Sequence, residues 1–419
     1  MSAPLRGSGA PAGSRGAFQP GAGRPRYLPL ICVLLPFAAF ALAYTRVTPL
    51  GMGPDEPSHL GYVHGIVAHL ALPSATTPEK QQPPLYYLVA AVVYALTGDD
   101  RLVRLTSMVF GLAALSVIWL VARRLFPAWH WRAALAVGLV AALPEFQYLS
   151  GVVTDDSLAW LVGSLVVLQI IVIIQADRVG RGLVVGAGAV IGVALLSKET
   201  VWLPAAVLGL LLAWRCLRDG RPTQLAWLIV LPLLISGWWF ARNLAAFHSL
   251  VPPLAPLGPQ PQHLDSIAQL RAWVSLNLLS TVGLYGVGIG SIPLRILDRF
   301  PPPSVLVGAA AVLLALAVAG WAAGRWPAWD RQNRLIVGLL SLVAALVLLQ
   351  SVVNSILLND QPQGRYLLVV AAIPAVAVTR SLSGGGGRLR TATGMLLVAL
   401  GAVAVLVDVS GLLTATSLS

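Results

Sequence analysis

Two adjacent carboxylates, Asp55 and Glu56, follow the first apolar run of the chain inside the segment GPDEPSHLGYV (residues 53–63), with His59 three residues on. A carboxylate at a membrane boundary is costly to keep there and suits general-base chemistry or metal binding. A second acidic pair, Asp155 and Asp156, lies between two later apolar runs. The chain carries 26 arginines but only two lysines, Lys80 and Lys198. A lysine ammonium is a compact point contact for phosphate, and Arg242 and Arg365 could add two-pronged contacts to the same group. Lys80 precedes the PPLYY segment with Tyr86, Lys198 ends an apolar run at LLSKET, Arg242 follows Trp238 and Trp239, and Arg365 sits in QGRYLL.

Simpler roles are open to the same residues. Asp55 and Glu56 could cap the helix led by Pro57, and Asp155 or Asp156 the span that follows them, Lys198 could reach up to lipid headgroups, and Arg242 could anchor a helix end at the interface. The cysteines, Cys32 and Cys216, are far apart in apolar surroundings and read as packing residues, and the six histidines lack zinc-type spacing.

These groups must be positioned by membrane helices. The chain is 57% hydrophobic and 11% charged over 419 residues, well below the charge of a soluble domain. The hydropathy pattern predicts an all-α polytopic membrane protein with about eleven transmembrane helices. They fall near 27–45, 105–125, 132–149, 156–175, 182–197, 200–215, 224–241, 303–322, 335–356, 365–380 and 393–413. Residues 1–26 read as a disordered, basic cytoplasmic tail and 27–419 as one transmembrane domain, with large outer loops at 46–104 and 242–302. With the N-terminus inside, the inner segments collect eighteen of the 28 basic residues against three acidic ones, Asp177, Asp219 and Asp330, as the positive-inside rule requires. That parity makes the apolar stretches Pro83–Gly98 and Ala272–Leu294 interfacial rather than spanning. It also puts all the candidate residues on the outer face. The net charge of +12 is thus a matter of topology, and no nucleic-acid partner is implied.

The ordered set of motifs resembles the GT-C membrane glycosyltransferases, specifically the superfamily of protein O-mannosyltransferases and aminoarabinose transferases, and within it a bacterial branch beginning DE-P-x-H. The set is Asp55-Glu56, PPLYY, TDDS at Thr154–Ser157, LLSKET, Trp-Trp-x-x-Arg-Asn at Trp238–Asn243, and QGRYLL. The resemblance implies a GT-C-like bundle at a bacterial plasma membrane and a polyprenyl-phosphate sugar donor used at the outer face with inversion. The acceptor would be a hydroxyl of a protein, lipid or polysaccharide. On this resemblance Asp55 is the general base and Glu56 its catalytic companion, orienting it, raising its pKa or binding a divalent metal. His59, Lys80, Tyr86, Asp155, Asp156, Lys198, Arg242 and Arg365 would bind substrate. No cofactor is certain on this resemblance. A lipid-linked-glycan transporter or an inactive accessory subunit of an envelope-assembly complex are the competing readings, and smooth apolar spans with polar groups at one end favour the enzyme.

Overall fold

The computed structural model describes residues 27–74, 77–127, 129–252, 331–357 and 364–383. Predicted spans 303–322 and 393–413, the stretch Ala272–Leu294 and most of the second outer loop lie outside these residues. Twelve α-helices occur among the described residues: α1 (Leu28–Val47), α2 (Glu56–His69), α3 (Leu85–Thr97), α4 (Asp100–Leu125), α5 (His130–Ala141), α6 (Pro144–Leu149), α7 (Asp156–Gln175), α8 (Arg181–Leu195), α9 (Trp202–Arg218), α10 (Leu225–Phe247), α11 (Arg331–Leu357) and α12 (Ala372–Ser383). Among the described residues six stretches are long and apolar enough to cross a membrane, built on α1, α4, α7, α9, α10 and α11. The chain is an all-α, multi-pass membrane protein.

Local sequence explains most boundaries. Pro29 stands in the first turn of α1 and Pro57 in that of α2, where a missing N–H costs nothing. Asp99 caps α4 by accepting from the Arg101 N–H at 2.8 Å, while Arg123 and Arg124 face the negative end of its dipole. Two predicted spans are corrected. The one placed at 132–149 is two helices, because the chain leaves helical geometry at Leu143 ahead of Pro144, which opens α6. The one placed at 365–380 begins as a 3-10 helix, Gly364–Val370, before α12. Helix α3 has 13 residues, about 20 Å of rise, short of the ~30 Å hydrocarbon core.

Helix α7 is the axis of the bundle, with 72% of its apolar window buried. It packs most extensively on α4 and also touches α8, α9, α11 and the Gly364–Val370 segment. The last contact needs a glycine, since a Cβ on Gly163 would lie 2.2 Å from the Val369 carbonyl oxygen. Gly151 does the same for α1, with Tyr44 Cβ 2.4 Å from the place its own Cβ would take. These close approaches bring the loop before α7 and the 3-10 segment to the same end of the bundle as Asp55.

Candidate active site

The site has a supporting layer and an open layer, and the two neighbouring carboxylates divide between them. Asp55 adopts a left-handed backbone, φ 58°, which costs a non-glycine residue about 1–2 kcal/mol, less for Asp. Its side chain is 51% exposed while that of Glu56 is fully buried. Asp55 makes no capping hydrogen bond to α2, and Asp155 makes none to α7, so the capping roles open to them in sequence are not taken up.

Glu56 is held by Arg104 of α4. The guanidinium donates from Nε to Oε1 and from Nη2 to Oε2, both at 2.7 Å. The backbone N–H groups of Gly51, Gly53 and Val153 donate to the same carboxylate at 2.9, 3.2 and 3.0 Å. Arg104 also donates to the carbonyls of Thr45, Thr48 and Pro49 at 3.0, 2.7 and 2.9 Å. Burial pushes the Glu56 carboxyl up, but Arg104 and the backbone donors outweigh it and hold it below its ordinary value. With both oxygens engaged inside the protein, Glu56 positions the loop that presents Asp55. Of the roles open to Glu56 in sequence, these contacts fit the orienting one.

The open layer gathers five of the expected residues. Arg365 donates from Nη2 to Asp55 Oδ2 at 2.8 Å, and its Nε lies 3.5 Å from Asp156 Oδ2. Lys198 donates to Asp155 Oδ1 at 2.6 Å and to Asp156 Oδ1 at 2.7 Å. Thr154 Oγ1 donates to Asp156 Oδ2 at 3.2 Å. The ring of Tyr366 lies 5.6 Å from Lys198 Nζ and 5.3 Å from the Arg365 guanidinium, within cation–π range. Trp160 Nε1 donates to the Arg365 carbonyl at 3.3 Å and fixes that segment. Buried polar atoms without hydrogen bonds remain here: Arg365 Nε and Nη1, and Asp155 Oδ2. Burial raises the Asp55 carboxyl, but the Arg365 charge and hydrogen bond prevail and hold it below the usual range. For Lys198 burial acts downward and Asp155 and Asp156 prevail, lifting it above its ordinary value.

The remaining expected residues are differently placed. His59 is buried and pairs through Nδ1 with the Tyr87 hydroxyl at 2.8 Å. The Tyr86 phenol is buried between Ser107 Oγ at 2.7 Å and the Thr154 N–H at 3.1 Å. It supports the loop before α7, which corrects the expected substrate contact. Arg242 donates to the carbonyls of Leu72, at 3.3 Å, and Pro73, so it pins the first loop. Lys80 is half-buried in the turn before α3. Lys198 is already neutralised by two buried carboxylates, so the cluster of Asp55, Asp155, Asp156, Lys198 and Arg365 is formally −1 and holds two of the four cations expected beside acidic groups. Among the described residues no group of three His, Cys, Asp or Glu side chains could hold a metal ion. The Lys198 ammonium lies between Asp155 and Asp156 and donates to both.

Sequence reasoning missed Arg104, Tyr366 and the stacked pair Tyr62–Tyr87, whose rings lie 3.9 Å apart at 12°. One signal pointed to Arg104: an arginine on the outer side of a span runs against the positive-inside rule and therefore wants a specific partner.

The fold has known counterparts. An ArnT from Cupriavidus metallidurans bound to undecaprenyl phosphate matches with TM-score 0.54 and 18% identity, over 87% of this chain and 62% of that one. The oligosaccharyltransferase AglB from Archaeoglobus fulgidus, in complex with an inhibitory peptide and a dolichol-phosphate, matches with TM-score 0.53 and 15% identity, over 92% of this chain and 56% of that one. The chain therefore spans about three fifths of the length of either protein, and at these identities the likeness is one of fold, the GT-C fold. Residues 81–240 match the family model of dolichyl-phosphate-mannose-protein mannosyltransferase. By fold the chain is a GT-C membrane protein, and its residues 81–240 are similar to the protein mannosyltransferase family. No curated protein matches it.

Proposed function

We propose that this protein is a membrane glycosyltransferase that moves a sugar from a polyprenyl-phosphate donor to an acceptor hydroxyl at the outer face of a bacterial plasma membrane. One observation carries the reading. In a GT-C fold, the half-exposed Asp55 carboxylate stands beside a buried arginine, Arg365, that still has two unsatisfied donor atoms. The carboxylate is the only acid of the cluster an acceptor could reach. It takes the hydroxyl proton as the oxygen attacks the sugar C1 from the face opposite the phosphate; the C1–O bond to phosphate breaks, the configuration inverts, and polyprenyl phosphate leaves. Arg365 binds that phosphate through Nη1, with its Nε facing Asp156, which Lys198 holds in turn. In the resting site Arg365 keeps Asp55 acidic and hence a weak base. A donor phosphate that shares the Arg365 charge lets the Asp55 pKa rise toward the range useful for proton abstraction.

The test is sugar transfer by purified, lipid-reconstituted protein supplied with labelled polyprenyl-phosphate sugars and a membrane extract as acceptor source. Wild type transfers and Asp55→Asn does not, while both retain fold and donor binding. Equal transfer by the two would remove Asp55 from the chemistry. Vectorial movement of donor across the bilayer without any transfer would favour a transporter.

A further inference from the structure

The ionic chain of the site ends in an oxygen that no hydrogen bond engages. From Arg365 Nε it runs to Asp156 Oδ2 at 3.5 Å, from Asp156 Oδ1 to Lys198 at 2.7 Å, and from Lys198 to Asp155 Oδ1 at 2.6 Å. Asp155 is fully buried, and its Oδ2 has no hydrogen-bond partner. A carboxylate oxygen buried without a donor is costly, and a site that keeps one has a use for it. The residue after Lys198 brings a further acid to the same place. Glu199 opens the 3-10 turn Glu199–Val201, which packs on α7 and on the Gly364–Val370 segment that carries Arg365. Its carboxylate is partly exposed and lies within electrostatic reach of both Lys198 and Asp155. Gln350 of α11 ties the turn down by donating to the Glu199 carbonyl at 3.2 Å, and Gln350 Oε1 is buried without a partner.

Ionised carboxylates accept hydrogen bonds and cannot donate them. Beyond Lys198 the site therefore offers acceptors, whereas at its other end Arg365 Nη1 offers a donor. A donor lipid read by this polarity lays its phosphate at Arg365 and its hydroxyl-bearing ring toward Asp155 and Glu199. We propose that Asp155 Oδ2 and the Glu199 carboxylate hold neighbouring hydroxyls of the transferred sugar and so set which sugars the site accepts. The inference rests on the glycosyltransferase reading and adds a substrate class to it: a sugar with free vicinal hydroxyls fits, and a sugar bearing its own carboxylate is repelled.

The test compares affinities, so it needs no acceptor. Full-length protein in detergent is titrated with undecaprenyl phosphate, its mannose, glucose and galactose derivatives, and its glucuronate derivative, with binding read by native mass spectrometry. Wild type holds at least one hexose derivative tighter than the bare lipid phosphate and the glucuronate derivative no tighter. A hydrogen bond to a charged group is worth about tenfold or more in affinity. Glu199→Gln therefore shrinks the preference for the hexose derivative by about tenfold while its hold on bare undecaprenyl phosphate, a readout of the folded site, stays at the wild-type level. Gln350→Leu, which frees the turn without touching either acid, lowers the same ratio. A wild type that binds every hexose derivative no tighter than the bare lipid phosphate, or a Glu199→Gln protein with the wild-type preference, would overturn the subsite. Sugar transfer with that preference intact in Glu199→Gln sinks the subsite alone. A Glu199-dependent preference in a protein that transfers nothing sinks the transferase reading alone.

Discussion

Glu56→Gln separates support from chemistry. The substitution keeps the shape of the side chain but replaces one oxygen by an NH2. Five donor contacts converge on the carboxylate, two from Arg104 and three from backbone N–H groups. The amide can accept at only one atom, so its NH2 must confront at least two of those donors and the Arg104 charge is left without its counter-ion in a fully buried site. Breaking a buried pair from one side costs about 3–5 kcal/mol. Asp55→Asn, in contrast, removes a pair whose acid is half exposed, worth about 0–1 kcal/mol after solvent screening. The apparent melting temperature in detergent, followed through the 13 tryptophans, should fall by roughly 6–20 °C for Glu56→Gln, at about 2–4 °C per kcal/mol, and by a few degrees at most for Asp55→Asn. Acid should mimic the first variant. The Glu56 carboxyl is depressed by folding, so its stabilisation is present above an unfolded value of 4.5 and is lost as pH falls through the lower folded one. A Glu56→Gln protein with wild-type melting and transfer as dead as that of Asp55→Asn would refute this division of labour.

Other outcomes follow from the same contacts. Lys198→Met leaves Asp155 and Asp156 buried side by side and should cost about 3–5 kcal/mol, visible as low yield and early melting. Gly163→Ala drives a methyl into the Val369 carbonyl and displaces the segment carrying Arg365, so donor binding should weaken along with a stability loss of about 1–3 kcal/mol. The acid limb of the transfer rate, set by the depressed Asp55 carboxyl, should move to higher pH in Arg365→Gln, because the charge that outweighs burial is gone. Asp55→Asn should lower transfer by about 10²–10⁴-fold at unchanged donor affinity.

Length and apolarity revealed the long helices, since hydropathy reports what a helix must tolerate over ~30 Å. The break at Leu143–Pro144 had a local signal in its proline but sits in a run apolar enough to pass for one span, and the Gly364–Val370 segment was less legible, because its backbone follows packing against α7. Within the site, Asp55, Asp155, Asp156, Lys198 and Arg365 were found because charges at the outer ends of apolar runs need a reason. What those charges do to one another was not readable, as the pairings join residues 42, 43 and 310 positions apart. The division between Asp55 and Glu56 depends on a single left-handed residue, and nothing in their adjacency announces which acid turns inward.

The Arg104 hub has a consequence for how the chain comes together during synthesis. Glu56 waits for Arg104, 48 residues downstream, and for the Val153 N–H, 97 residues downstream. Until α4 and the start of α7 have been delivered by the ribosome, the last carbonyls of α1 lack their donor and the loop bearing Asp55 has no fixed shape. The nascent chain therefore carries Asp55 on an unshaped loop until the start of the bundle's central helix arrives, and the cluster around it closes only when Arg365, 310 residues after Asp55, follows.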